Sequence, residues 1–193
     1  MVSRCSSRQA FLPTAMASLF ELDRRLYVVI HRRLRLRRLD AAMVWLSAAG
    51  TKGAIWVIAA VILAALPGDH HRLAAIASVV ALLVAEGVIN LLLKPGVRRR
   101  RPYLSLGGRH LLVAAPGPHS WPSAHAGSSA AAAVTLAYVV PWVGLPALIL
   151  AGLIGYSRIY VGVHYPVDVV AGVLIGIASS ALVLTITARV VPL

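Results

Sequence analysis

From Ser157 to Asp168 the chain reads Ser-Arg-Ile-Tyr-Val-Gly-Val-His-Tyr-Pro-Val-Asp, placing an arginine, a histidine and an aspartate between two almost wholly apolar segments. Ionisable groups beside hydrocarbon are costly, so a chain that keeps them there offers them as candidates for function. His164 and Asp168 stand four apart, and Pro166 between them suits the first turn of the apolar helix that follows. At that spacing a carboxylate can reach one imidazole nitrogen, fix the tautomer and leave the other nitrogen free to attack. An ion pair that only pins a helix end would read the same in this stretch alone.

Two upstream stretches bear on the choice. The first is Lys94-Pro-Gly-Val-Arg98-Arg99-Arg100-Arg101-Pro102. Its crowded cations repel one another unless an anion lies between them. A lysine point charge beside a planar arginine fork suits a phosphoryl group. A basic loop that sets membrane orientation is the plainer account, and Arg98, Arg99 and Arg100 are each assigned to it. The second is Pro122-Ser123-Ala124-His125, which opens a helix. Ser123 is a natural N-cap, the free amides of that turn can hold an anion, and His125 would face the same anion as a proton donor. Taken alone, this segment reads as an ordinary capped helix with an incidental interfacial histidine.

The elements that position these residues follow from composition. The chain has 193 residues, 59% hydrophobic and 13% charged, too little polar surface for a soluble domain of this length. Its apolar runs are long enough to cross a bilayer. The fold class expected is all-α: a polytopic membrane helical bundle with about five spans, preceded by a basic amphipathic helix. Residues 1–40 form the basic N-terminal segment and residues 41–193 the membrane domain. The first 19 or so are expected to be loosely ordered, and the amphipathic helix to run from Leu19 to Leu39 along the membrane surface.

Spans are expected over Ala41–Leu66, Leu73–Leu93, Ser123–Val140, Ala147–Tyr156 and Val167–Ala188, with a tight turn from Pro141 to Pro146. Gly50-Thr51-Lys52-Gly53 interrupts the first, so Lys52 either lines the bundle interior or marks a break between half-helices. Glu86 and Asn90 share a face of the second and are expected to make interhelical hydrogen bonds. Two spans separate the Lys94–Trp121 loop from the Ser157–Asp168 stretch, so both emerge on one side of the membrane.

The net charge is +13. The arginines lie beside membrane segments with no nucleic-acid motif, which excludes nucleic acid as partner and favours anionic lipid headgroups near the N-terminal helix. Cys5 is the sole cysteine, so no intrachain disulfide forms. Arg4 and Arg8 are not followed by a compact apolar core and cleavage site, so no signal peptide is expected.

Together the three stretches resemble the type-2 phosphatidic acid phosphatase family, which shares its site with vanadium haloperoxidases and bacterial acid phosphatases. Its first motif, a lysine, six residues, then Arg-Pro, is met by Lys94, Arg101 and Pro102. Its second, Pro-Ser-Gly-His, is met by Pro122, Ser123 and His125, with Ala124 where the pattern has glycine. Its third is met by Ser157, Arg158, His164 and Asp168 in order and spacing. The resemblance covers roughly residues 41–188.

It implies a membrane lipid phosphatase. His164 would attack phosphorus to give a phosphohistidine, and Asp168 would orient it. His125 would protonate the leaving alcohol and then activate water. Lys94, Arg101, Arg158 and Ser123 would hold the phosphoryl oxygens. No metal and no other cofactor is implied. His70, His71, His110 and His119 match no motif and are assigned to loops.

The resemblance offers phosphatidic acid, phosphatidylglycerophosphate, polyprenyl diphosphates and polyprenyl-linked sugar phosphates as substrates, with decaprenylphosphoryl-5-phosphoribose leading. Thirteen basic residues outside the site flank the motif side against Arg72 and Arg189 opposite, which places the site on the cytoplasmic face of the bacterial plasma membrane. A non-catalytic lipid-phosphate-binding membrane protein is the alternative of another class. Oligomeric state is not legible.

Overall fold

The computed structural model describes residues 14–106 and 111–190. The expectations for Arg4, Cys5, Arg8, Arg109 and His110 lie outside the described residues. Among the described residues the chain is all-helical, with one isolated antiparallel bridge between Arg100 and His119.

Three helical stretches are long and apolar enough to cross a membrane: Asp69–Val97, Pro141–Tyr160 and Pro166–Val190. The first of these joins α4 (Asp69–Gly87), a π-helical stretch over Val88–Leu93 and the short α5 (Lys94–Val97). The other two are α8 and α9. The pair Arg37–Ala49 and Thr51–Ala64, bent by 59° at its break, is a fourth if its two halves count as one span. This pair holds α2 (Asp40–Ala49) and α3 (Ala54–Ala64), so the half-helix reading of the Gly50–Gly53 interruption is the one realised. Lys52 and Gly53 there take left-handed backbone angles, with φ of 50° and 68°.

The remaining expected span, α7 (Ala124–Val139), has 16 residues, short of the roughly 20 that a bilayer core requires. It need not meet lipid, because α4, α8 and α9 surround it. Its run of small residues lets those helices approach closely. Gly172 and Gly176 of α9 lie one turn apart against it. A β-carbon on Gly172 would collide with the Ser123 carbonyl oxygen, and one on Gly176 with that of Gly127. Polar contacts add register: Trp56 Nε1 donates to Ser129 Oγ at 2.9 Å, and Thr135 and Ser180 hydroxyls meet at 2.9 Å.

Two expectations change. The stretch from Pro141 to Pro146 is the beginning of α8, not a turn, and only Val140 separates α7 from α8. Pro141 sits in the first turn, where its missing N–H costs nothing. The N-terminal helix is ordered from Thr14: α1 spans Thr14–Val28, continues as a π turn over Val29–Arg33 and ends before a 3-10 turn at Arg37–Leu39.

Its docked face is also unlike the one its leucines suggest. Asp23, Tyr27 and His31, four apart, are 2%, 4% and 3% exposed, while Leu19, Leu22 and Leu26 point outward. Tyr27 meets the Tyr165 ring edge-on at 5.4 Å, and His31 Nδ1 lies 2.7 Å from the Tyr160 carbonyl oxygen. The helix therefore lies over the α8–α9 connection with Asp23, Tyr27 and His31 inward.

Candidate active site

A cavity of about 380 Å³ opens at this end of the bundle. Lys94, Arg101 and Arg158 supply cations to its wall, and His125 and His164 supply imidazoles.

Each cation is held by its own element. Lys94 closes the π-helical stretch, and its Nζ donates to Asn90 Oδ1 at 2.7 Å, while Asn90 Nδ2 donates to Glu86 Oε2 at 2.6 Å. Glu86 and Asn90 thus serve a chain within one helix, not the interhelical bonds expected, and both line the cavity. Arg101 donates through Nε to the Gly117 carbonyl at 2.6 Å and through Nη1 to the Val163 carbonyl at 2.9 Å. Burial draws its guanidinium below the usual arginine range. Arg158, in the last turn of α8, donates to Ser47 Oγ through Nη1, and its Nε has no partner.

His164 lies between α8 and α9, 2% exposed. Arg101 Nη1 stands 3.1 Å from its Nε2. Arginine has only donors, so Nε2 is the acceptor and the ring proton sits on Nδ1. Burial pushes His164 down to about 3; Asp168 opposes that shift and Arg101 and Arg158 add to it. The imidazole is neutral at ordinary pH, with a lone pair on Nε2. Nδ1 lies 3.6 Å from Asp168 Oδ2, beyond hydrogen-bond length. The reach read from their spacing is therefore an electrostatic contact in this arrangement.

Asp168 is fully buried in the first turn of α9. Its Oδ2 accepts the Tyr165 N–H at 2.8 Å, which is the reach-back half of a capping box. Its Oδ1 accepts from Arg99 Nη1 at 2.6 Å. Arg99 was assigned to the orienting loop; instead it also donates through Nη2 to Asp23 Oδ2 at 2.5 Å. Burial draws Arg99 down, but Asp168 and Asp23 outweigh it and hold the guanidinium above its ordinary value. Arg98 and Arg100 are exposed and remain loop residues.

His125 stands in the first turn of α7 on the cavity wall, with Thr51 Oγ1 at 3.5 Å from its Nε2. Ser123 is the N-cap by position, yet its hydroxyl makes no cap bond and has no partner. The Ser123 N–H donates to the Asp168 carbonyl at 2.9 Å, so only the hydroxyl is left for an anion. Ala124 lines the cavity with its methyl. Pro122 follows a cis peptide, and Pro102 starts the short helix α6 (Pro102–Ser105). Ser157 turns back to the Ile154 carbonyl at 2.7 Å and supports α8.

Lys52 and His119 also line the cavity. The expectation that His119 is an ordinary loop residue gives way: its Nδ1 is buried without a partner, and the bridge to Arg100 sets it there. His70 and His71 are not loop residues either: they open α4, away from the cavity, with His71 Nδ1 2.7 Å from the Pro67 carbonyl oxygen.

Comparison with known proteins places the chain among relatives of one family. A family model described as the PAP2 superfamily matches residues 74–192. An undecaprenyl-diphosphatase of Sulfolobus acidocaldarius is 34% identical over 143 residues, 74% of this chain and 68% of that protein. A decaprenylphosphoryl-5-phosphoribose phosphatase of Mycolicibacterium smegmatis is 40% identical over 129 residues, 66% of this chain and 67% of that protein. Among solved structures, Aquifex aeolicus LpxE superposes with a TM-score of 0.72 at 26% identity, covering 85% of this chain and 95% of that one. A phosphatidylglycerolphosphate phosphatase from Bacillus subtilis shares the fold, with a TM-score of 0.65 at 23% identity over 92% of this chain and 89% of that one.

Proposed function

The chain belongs to the PAP2 superfamily, and on that premise we propose that it is an integral membrane phosphatase that removes a terminal phosphate from a polyprenyl-linked lipid. One observation carries the reading: His164 offers a neutral Nε2 to a cavity it shares with Lys94, Arg101, Arg158 and His125. His164 Nε2 bonds to phosphorus as the ester P–O bond breaks, and the departing alcohol takes a proton from His125. Water, giving its proton back to His125, then cleaves the P–N bond and frees phosphate. Asp168 faces the Nδ1–H of the phosphohistidine and stabilises its positive charge. Lys94, Arg101 and Arg158 hold the equatorial oxygens, with the Ser123 hydroxyl beside them. No metal or other cofactor takes part.

The substrate class rests on the polar groups that line the cavity besides the three cations and two histidines. Lys52, Glu86 and Asn90 there offer one more cation, an acid and an amide. That set fits a second polar group next to the transferred phosphate, such as a phosphorylated sugar. Decaprenylphosphoryl-5-phosphoribose, named for one relative, meets it. Undecaprenyl diphosphate, phosphatidic acid and phosphatidylglycerophosphate are the alternatives. The site faces the cytoplasm in a bacterial plasma membrane, and the exposed Arg24, Arg25, Arg32 and Arg33 of the N-terminal segment meet anionic lipid.

The test is phosphate release by the purified protein in detergent with EDTA, across those four lipids, with His164→Ala as control. Release from the phosphoribose lipid that ignores EDTA and vanishes in the variant supports the whole reading. Release from another lipid alone replaces the substrate. Binding without release from any lipid supports the non-catalytic alternative.

A further inference from the structure

Asp168 has two oxygens and each is spoken for. Oδ2 takes the Tyr165 N–H at 2.8 Å and is the oxygen 3.6 Å from His164 Nδ1. Oδ1 takes Arg99 at 2.6 Å. The plane of the carboxylate is therefore set by two donors, and Arg99 is the one that comes from outside its own helix. Arg99 in turn has little freedom. Its guanidinium lies 4.1 Å from the Tyr165 ring centre and 5.4 Å from that of Phe20, with its second nitrogen on Asp23.

Asp23 is 2% exposed, and its other oxygen accepts the Val167 N–H at 2.9 Å. That amide is one of the free donors at the start of α9, so α1 completes the cap of the helix that carries Asp168. One arginine between two carboxylates, with the three residues drawn from α1, the segment after α5 and α9, is a bridge that suits a planar fork.

Resting on the reading of His164 as nucleophile, we infer that Arg99 and Asp23 are positioning residues: docking of α1 fixes the Asp168 carboxylate beside His164 through the Asp23–Arg99–Asp168 bridge. Neither Arg99 nor Asp23 lines the cavity, so the bridge acts on the nucleophile's partner and not on substrate binding. The N-terminal helix is then part of the catalytic apparatus as well as a surface anchor.

Two conservative variants of the full chain in detergent test this. Arg99→Lys keeps the charge but cannot span both carboxylates, and Asp23→Asn keeps an oxygen for Val167 but not the charge for Arg99. On the lipid that the wild type hydrolyses, each should lower kcat about 10- to 100-fold with KM within about twofold. Arg35→Gln is the control, because Arg35 anchors the same segment through Asp40 at 2.6 Å without touching Asp168. It should leave kcat unchanged; an equal loss there would assign the effect to undocking in general and overturn the bridge. Wild-type kcat in both test variants would overturn it too.

A second measurement does not need turnover. The ¹⁵N resonance of His164 Nδ1, assigned by its loss in His164→Ala, should move in Arg99→Lys while His70 and His71 stay put. An unmoved resonance overturns the inference even if no lipid is hydrolysed, whereas a moved one supports it when the phosphatase reading itself has failed.

Discussion

At the scale of single residues, the 3.1 Å contact between Arg101 and His164 decides which imidazole nitrogen can attack, and the burial of His164 decides when. Its value falls from an ordinary 6.5 to about 3, so the unfolded chain binds a proton there that the folded one refuses. Stability from this group is complete above about pH 6.5 and is lost as pH falls towards 3. Thermal unfolding in detergent should therefore show a steeper loss below pH 6.5 for the wild type than for His164→Asn, which has nothing to protonate. Parallel curves would refute the buried neutral imidazole. Asn90 yields another expectation. Truncation to alanine leaves Lys94 Nζ without the oxygen at 2.7 Å that aims it, and kcat/KM should drop by about tenfold. Steady-state kinetics with an unchanged value would exclude the relay. The motif residues were legible because type and spacing carry their chemistry. Arg99 was not, since nothing local distinguishes it from Arg98 and Arg100, and its partner Asp23 lies 76 positions away. His119 escaped for a similar reason: a bridge to Arg100, not a motif, brings it to the cavity.

Between elements, glycine spacing sets how closely α7 and α9 approach. Gly176 has no room for a β-carbon against the Gly127 carbonyl oxygen, whereas Gly152 on the outer face of α8 has nothing within 4 Å. Alanine is the better helix former by about 1 kcal/mol, so on propensity alone both substitutions would help. Packing reverses the sign at one site: Gly176→Ala should cost about 1–3 kcal/mol and lower the unfolding temperature, while Gly152→Ala should leave it level or raise it. Equal shifts would mean that the helices separate freely. The apolar runs made most helices legible from sequence, because a chain in lipid must satisfy its backbone internally. The same environment hid the docked face of α1. Leucines there are exposed, and the inward positions belong to Asp23, Tyr27 and His31, the reverse of the amphipathic logic for helices in water. The start of α8 was hidden by its prolines, which read as a turn, although Pro141 occupies a first-turn position and Pro146 is carried inside the helix.

For the molecule as a whole, the charge pattern and the fold make one joint prediction about orientation. The cavity, the docked N-terminal segment and the arginines around both lie at one end of the bundle. That end holds the exposed Arg24, Arg25, Arg32, Arg33, Arg37 and Arg38 together with Arg98 and Arg100. The other end has Arg72 in the first turns of α4, just after the α3–α4 connection, and Arg189 at the close of α9. Basic residues near span ends favour the cytoplasm, so the cavity end should face inward and the connection at Pro67 and Gly68 outward. A re-entrant α2–α3 hairpin would instead put Leu66 on the side from which the pair sets out. Its contacts favour a crossing: Gly50 lies near His125 at the cavity, whereas Leu63 packs in one cluster with Leu136 and Val140 at the far end of α7. An alkaline phosphatase reporter, active only outside the cytoplasm, should therefore be active when fused after Leu66 and silent when fused after Ser105. The opposite pair of signals would turn the whole bundle over and put dephosphorylation on the outer leaflet. It would then favour a recycled carrier lipid over a biosynthetic intermediate, with the chemistry of the cavity unchanged. Activity at neither position would instead mean that Asp69–Val97, which lies between the two fusion points, does not cross.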